Sequence, residues 1–439
     1  MLRVYSISLG CPKNLVDSEH LLGSLGPMRA VERIAGADLV FINTCGFILP
    51  AVQESLNVII DAAEEIKALP AGKRPLLAVA GCLPGRYLSQ GLAAEIPEVD
   101  LWLDVPEIKS WPEIIARALN RPTPAPGRLV STGPGHAYLK ISDGCNHACA
   151  FCTIPLIRGP LRSFPVAELL AEAREVVDGG ARELILVGQD VTGYGLDQID
   201  QNGQGDRQAL RKLLSGLAEL PGLARLRLMY LYPAGLTPEF LAFLRDLPPV
   251  FLPYFDVPVQ HSHPEVLARM GRPFARDPGL VLARIREFFP EAALRTSLIV
   301  GFPGETDAQF EHLLDFVQAS RFQHLGVFAY AAEEGTPAAK LPDQIPEEVR
   351  EERRRQVMAL QAEISAELLE AQLGRHLDIL VEKPSPEWPG LYIGRAWFQA
   401  PEVDGVTYIS GPGVAPGRIV RAEITETHAY DLSALADEN

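Results

Sequence analysis

A chain of 439 residues is longer than one ordinary hydrophobic core serves, so its length implies two or three domains. With 47% hydrophobic residues and a formal net charge of -16, the composition is globular; that charge has the wrong sign for a protein held to nucleic acid mainly by counterion release, and it favours a small-molecule or basic protein partner. No run of about eighteen apolar residues occurs, and the opening MLRVYSISLG alternates as a strand instead of building a signal peptide, so no membrane association and a cytoplasmic location are expected.

Residues 1–120 repeat a pattern of apolar strand, turn and amphipathic helix. RVYSISL, DLVFINT and PLLAVAG read as buried strands, and NLVDSEHLLGSL and ESLNVIIDAAEEIKAL carry helical apolar spacing, which predicts a parallel α/β domain. The proline-rich RPTPAPGRLVSTGPG, residues 121–135, continues neither element and reads as a linker. Residues 136–371 alternate again, with AYLKI, ELILVG, RLRLMYL, YFDVPV, LRTSLIV and HLGVFAY as strands. Six such βα units predict a partial (β/α)6 barrel, followed by the helix VREERRRQVMALQAEISAELLEAQLG, whose REERRR run reads as a solvated face. In residues 372–439 the short segments HLDILVE, LYIGRAWF, VTYISG and GRIVRAEITE, broken by Pro and Gly, predict a small antiparallel β-barrel.

Six cysteines are too few for a disulfide scaffold at this length, and a reducing cytosol leaves them as thiols available for metal. Three lie in GCNHACAFC, residues 144–152, where Cys145, Cys149 and Cys152 follow AYLKI at the carboxyl end of a strand, the end where α/β barrels build active sites. A zinc site needs a fourth ligand, and the nearby His147 is spaced too tightly for the usual zinc patterns. The alternative is an iron-sulfur cluster with three irons held by thiolates and the fourth open.

The C-x3-C-x2-C spacing with Phe151 before the last cysteine resembles the radical S-adenosylmethionine superfamily. In that superfamily the open iron chelates the amino and carboxylate groups of S-adenosylmethionine, and one electron from the cluster splits it into methionine and a deoxyadenosyl radical. The resemblance implies cofactor contacts for Phe151, for Gly188 and Gln189 in GQDVTGYG, and for Gly301 in GFPGET; a plain turn after a strand is the competing account of the glycine segments.

Cys11, Cys45 and Cys82 each follow an apolar strand of the first domain. In an open parallel sheet the carboxyl ends of neighbouring strands face one crevice, so the three can converge there, as against serving as three small apolar core residues. Two sets of three cysteines, in this order and with a terminal barrel, resemble the methylthiotransferases over essentially the full chain. The resemblance implies a first domain carrying an auxiliary cluster on Cys11, Cys45 and Cys82, a radical core on Cys145, Cys149 and Cys152, and a TRAM-like barrel. It further implies two 4Fe-4S clusters, S-adenosylmethionine as source of both radical and methyl group, and an external electron donor.

LGCPKNLVDSE, NTCGFILPAVQES, CTIPLIRGPLRS, VPVQHSHPEVLARMGRP and APEVDGVTYI look like the branch that modifies an aspartate β-carbon of small-subunit ribosomal protein S-twelve at the decoding centre. Five basic against ten acidic residues in 372–439 suit a basic ribosomal protein better than free tRNA, which is an unlikely partner on this count. His263 departs from the branch, which more often has a small residue there. Arg158, Arg162, Gln260 and Arg272 are candidates for holding the substrate carboxylate, with surface salt bridging as the competing account. A tRNA adenosine methylthiotransferase and a non-catalytic iron-sulfur or zinc protein remain the alternatives.

Overall fold

The computed structural model describes residues 1–122, 125–199, 203–272 and 277–438. Thr123 and Pro124 of the proline-rich stretch, and Pro273 at the end of the VPVQHSHPEVLARMGRP motif, lie outside the described residues. The chain forms two compact units: Met1–Ser131 with Asp143–Leu161 and Ala331–Ala339, and Thr132–Ser142 with Arg162–Tyr330 and Lys340–Asn439.

The first unit is a five-stranded parallel sheet of β1 (Leu2–Ser8), β2 (Met28–Ala30), β3 (Leu39–Thr44), β4 (Leu76–Gly81) and β5 (Leu101–Leu103), in the spatial order β2-β1-β3-β4-β5. Every residue of β3 is buried, because the strand is covered on both faces and its apolar run has no solvent side to alternate with. On one face Val40, Ile42 and Val79 pack with Ile59, Ala62 and Ile66 of α2 (Leu49–Ala68). On the other, Leu39, Phe41, Ala78 and Ala80 pack with Leu21 and Leu22 of α1 (Pro12–Ser24) and with the fully buried Trp111. Both helices start on a proline in their first turn, where the missing N–H costs nothing. β2 and β5, three residues each, are too short to show a period in the sequence.

The described part of the proline-rich stretch up to Ser131 is not a free spacer. Glu19, on α1 and 1% exposed, accepts hydrogen bonds from Arg128 Nη2 at 2.6 Å and from Ser131 N and Oγ at 2.6 Å. A Cβ at Gly23 would sit 2.5 Å from the Arg128 backbone, so that glycine lets the stretch lie directly on the helix.

In the second unit six parallel strands follow one another in space as His324–Ala329, Ala293–Val300, Phe251–Asp256, Arg225–Leu228, Glu183–Val187 and His136–Lys140. The first and last of these are edges, so the barrel is partial, as six βα units predict. The carboxyl-terminal segment is a closed five-stranded barrel of His376–Pro384, Tyr392–Arg395, Thr407–Ser410, Ile419–Thr427 and Leu432–Ala436. It is not wholly antiparallel: Thr407–Ser410 pairs in parallel with Leu432–Ala436. A closed ring with an odd number of strands cannot alternate direction all the way round, so one parallel pair is a geometric necessity.

This barrel seats on the amino-terminal ends of the core strands through buried charge. Glu183, fully buried, takes Arg227 Nε at 2.7 Å and Arg395 Nη2 at 3.0 Å. Arg225 donates to the carbonyls of Asp378 and Arg395, and Asp404 receives Tyr254 Oη at 2.7 Å and Arg295 Nε at 3.3 Å. Burial opposes the Glu183 carboxylate, but Arg227, Arg395 and Arg225 outweigh it and hold that group far below the ordinary range. Three of the charged groups counted for the barrel, Arg395, Glu382 and Asp404, are therefore internal pairs; eight acidic and four basic residues are left to face other partners.

The REERRR run also divides. Arg353, 5% exposed, reaches inward to Asp307 at 2.6 Å, and Arg350 donates to the Tyr330 carbonyl. Only Arg354 and Arg355 pair along the surface, with Glu351 and Glu352 at i,i+3 spacing.

Candidate active site

The strand order of the first unit decides what its cysteines can do. Cys11 follows β1, Cys45 follows β3 and Cys82 follows β4, three strands adjacent in the sheet and parallel, so their carboxyl ends open on one crevice. The three loops are packed without slack. Gly10 has a φ of +90° and a Cβ there would come 2.8 Å from Cys45 Cβ; at Gly46 it would come 2.7 Å from the Cys82 carbonyl oxygen.

The thiols feel one another. Burial pushes Cys45 up to about 11, and the neighbouring Cys82 and Cys11 add to the shift. Cys82 is raised by burial against the pull of Arg158. For Cys11 burial again acts upward, but Lys13, Arg158 and the backbone N–H groups of Asn14 and Lys13 outweigh it and lower the thiol. Those amides belong to the first turn of α1, a setting that favours thiolate.

Cys145, Cys149 and Cys152 lie in a loop of the same unit. Gly144 enters it at a φ of +74°, where a Cβ would strike the Pro160 carbonyl oxygen at 2.1 Å. Backbone amides point at the sulfurs: His147 N lies 3.4 Å from Cys145 Sγ and Ile154 N lies 3.5 Å from Cys152 Sγ. Such N–H···S bonds stabilise thiolates that carry an iron-sulfur cluster. Thr153 Oγ1 donates to the Phe47 carbonyl at 2.9 Å, tying this loop to the one after Cys45.

Among the described residues no three His, Cys, Asp or Glu side chains close tightly enough to hold a single metal ion. A tetrahedral zinc, with Zn–S bonds of about 2.3 Å, requires such closure. A cluster puts a separate iron under each thiolate, a demand that three thiols after adjacent parallel strands and a loop whose amides point at its sulfurs meet by their chemistry.

Four residues that motif reading undervalued form one buried network with Cys82. Arg158 Nη1 meets both oxygens of Asp143 at 2.9 Å, and Nη2 meets Asn14 Oδ1 at 2.6 Å and Cys82 Sγ at 3.6 Å. Asp17 Oδ2 lies 3.2 Å from both terminal nitrogens. The Arg158 side chain is 1% exposed, so it is not an open grip for a substrate carboxylate. Asn14 also holds the carbonyls of Leu9 and Thr44, at 3.0 and 2.8 Å, at the ends of β1 and β3. The only sequence signal was polarity at positions 14 and 17 on the face of α1 that should be apolar.

In the second unit Gly188 ends the strand Glu183–Val187, and a Cβ there would come 2.7 Å from Ser142 Oγ. Gln189 beside it is half-buried, as is Phe151 within the cysteine loop of the first unit. Gly301 follows Ala293–Val300 with a φ of +69°, and Arg350 packs over it where a Cβ would lie 2.2 Å from Cγ, a structural need for glycine apart from any cofactor. Arg272 is buried, donating to the Pro258 carbonyl at 2.8 Å and lying over the Tyr232 ring; Arg162 is exposed. Gln260 serves its backbone, at a φ of +71°, bridging to Leu298. His263 caps the helix Pro264–Arg269, its Nδ1 accepting from Glu265 N at 3.3 Å, the task a small hydroxyl residue performs at such a position. His261, fully buried, accepts from His263 N at 2.9 Å, and burial lowers its pKa.

Comparison with known proteins adds three matched families: an uncharacterized protein family, UPF0004, over residues 3–104, the radical SAM superfamily over residues 139–317, and the TRAM domain over residues 373–436. The chain is 59% identical over 438 residues to ribosomal protein uS12 methylthiotransferase RimO of Nitratidesulfovibrio vulgaris strain Hildenborough, covering 99% of this chain and 100% of that one. It is 60% identical to the protein of the same name from Oleidesulfovibrio alaskensis, with the same coverage. Among solved structures, the radical S-adenosylmethionine methyltransferase TsrM from Kitasatospora setae, with cobalamin and a [4Fe-4S] cluster bound, matches with a TM-score of 0.54 at 15% identity, over 92% of this chain and 82% of that one. At that identity the likeness concerns the fold.

Proposed function

This chain belongs to the ribosomal protein uS12 methylthiotransferases, enzymes of the radical S-adenosylmethionine superfamily, and from that premise we propose which of its residues carry the chemistry. Cys145, Cys149 and Cys152 hold one 4Fe-4S cluster, and Cys11, Cys45 and Cys82 hold a second, auxiliary one. When bound, the pair supplies reductive cleavage of S-adenosylmethionine at one open iron and a seat for sulfur at the other. Phe151, Gly188, Gln189 and Gly301 border S-adenosylmethionine. The reaction modifies an aspartate β-carbon of the ribosomal protein, takes place in the cytoplasm and draws on an external electron donor.

The observation that carries this assignment is the arrival of Cys11, Cys45 and Cys82 at the ends of three adjacent parallel strands, in the same compact unit as the Cys145 loop. Around them the chain holds its polar groups still: Asn14 spans two strand ends, and Thr153 fastens one cysteine loop to the other. His261 is buried, which lowers its pKa, and an unactivated C–H bond gives it nothing to abstract as a base. The acidic excess outside the internal pairs favours a basic protein substrate over tRNA.

A substrate peptide deuterated at the aspartate β-carbon tests the assignment. Deuterium should pass into deoxyadenosine while the peptide gains one methylthio group at that carbon. Label transfer from an adenosine of tRNA, or product formed with all deuterium retained, would refute it.

A further inference from the structure

Arg158, Asp17 and Asp143 form a charged cluster that packing does not require. Their side chains are 1%, 2% and 2% exposed, and burying three charges costs enough that an apolar set of equal volume would stabilise this position as well or better. The guanidinium reaches a particular sulfur: Nη2 lies 3.6 Å from Cys82 Sγ and also meets Asn14 Oδ1 at 2.6 Å and Asp17 Oδ2 at 3.2 Å, while Asp143 takes Nη1. Asp143 passes the link onward, its Oδ1 accepting from Gly144 N at 3.0 Å, next to Cys145.

We propose that Arg158 and Asp17 set the reduction potential of the auxiliary cluster on Cys11, Cys45 and Cys82, with Arg158 as a positioning residue; this rests on the ligand assignment above. Reduction adds one electron to the cluster. A cation and an N–H donor at a ligand sulfur favour the reduced form, and a carboxylate held beside that cation disfavours it. The two residues therefore act with opposite sign. Arg158 raises the potential, and Asp17 restrains how far.

The test is a potentiometric titration with redox dyes of the anaerobically reconstituted full chain, following the electron paramagnetic resonance signal of the auxiliary cluster in a Cys149→Ala background. Arg158→Gln should make reduction at least tenfold less favourable, ~59 mV downward for a one-electron couple, and Arg158→Lys should recover part of the loss. Asp17→Asn should shift the potential upward by a similar factor. A role confined to packing predicts no such reversal, so shifts of the same sign, or none in either variant, overturn the proposal. Should Arg158→Gln fail to fold around its unpaired carboxylates, Asp17→Asn alone decides: upward supports, unchanged or downward overturns. Wild-type protein that binds about four irons in place of about eight would overturn the two-cluster premise instead, and iron analysis separates that failure from the first.

Discussion

Replacing Glu382 with Gln asks how strongly the carboxyl-terminal barrel is held to the core strands. Glu382 Oε1 accepts from Arg395 Nε at 2.8 Å and lies 2.8 Å from His136 Nδ1, with 15% of its side chain exposed. Burial raises its carboxyl, but the His136 contact and Arg395 outweigh burial and bring it down to about 2, from an ordinary 4.5. A depression of that size corresponds to about 3 kcal/mol of stability from the ionised form. Because the folded pKa is the lower one, this contribution is fully present above about pH 5 and is lost as pH falls toward 2; by pH 3 about 2 kcal/mol of it is gone. Urea unfolding of the metal-free chain labelled with 5-fluorotryptophan gives a barrel signal from Trp388 and Trp397 at any of these pH values. At pH 7 Glu382→Gln should unfold more easily by about 3 kcal/mol, and at pH 3 the gap should narrow to about 1. Carboxylates that do not share Arg395 titrate alike in both proteins and drop out of the difference. A gap that stays constant from pH 7 to pH 3 would show that Glu382 acts through shape and not through its charge.

Removing residues 372–439 should leave insoluble or unfolded protein, because Glu183, 0% exposed, would lose Arg395 and face three-sided burial with an exposed edge; a soluble, folded truncation by circular dichroism would contradict the charged seam described above. His263→Ala should cost about 1 kcal/mol through the lost helix cap and His263→Ser should restore it, measured by the same urea melts; equal stabilities for Ala and Ser would dismiss the cap. Anaerobic reconstitution should load about eight irons, and Cys149→Ala and Cys45→Ala should each lose about four while leaving the other site occupied, which iron analysis and Mössbauer spectroscopy can check.

Much of the proposed site was legible in the sequence because the cysteines assigned to it are few, chemically distinctive and placed after apolar strands. C-x3-C-x2-C is a local spacing that survives any fold, and the alternation of strands and helices places Cys11, Cys45 and Cys82 after three separate strands and the other three cysteines in one loop. Convergence of Cys11, Cys45 and Cys82 followed from parallel topology alone, since side-by-side parallel strands must share a carboxyl edge. Their electrostatic setting did not. Arg158 looked like a surface or substrate-facing arginine, because sequence records charge but not burial, and its partners lie 15, 141 and 144 residues away. The charged seam under the barrel was hidden for the same reason: Glu183 meets Arg395 across 212 residues. Two of the four arginines of the REERRR run turned inward only because helix Glu347–Glu370 packs beside Gly301 and Glu305. Local pattern determined the elements, the candidate cysteines and the strand ends they follow; the tertiary structure decided which charges neutralise one another, because long-range ion pairing depends on which distant surfaces are dry when they meet.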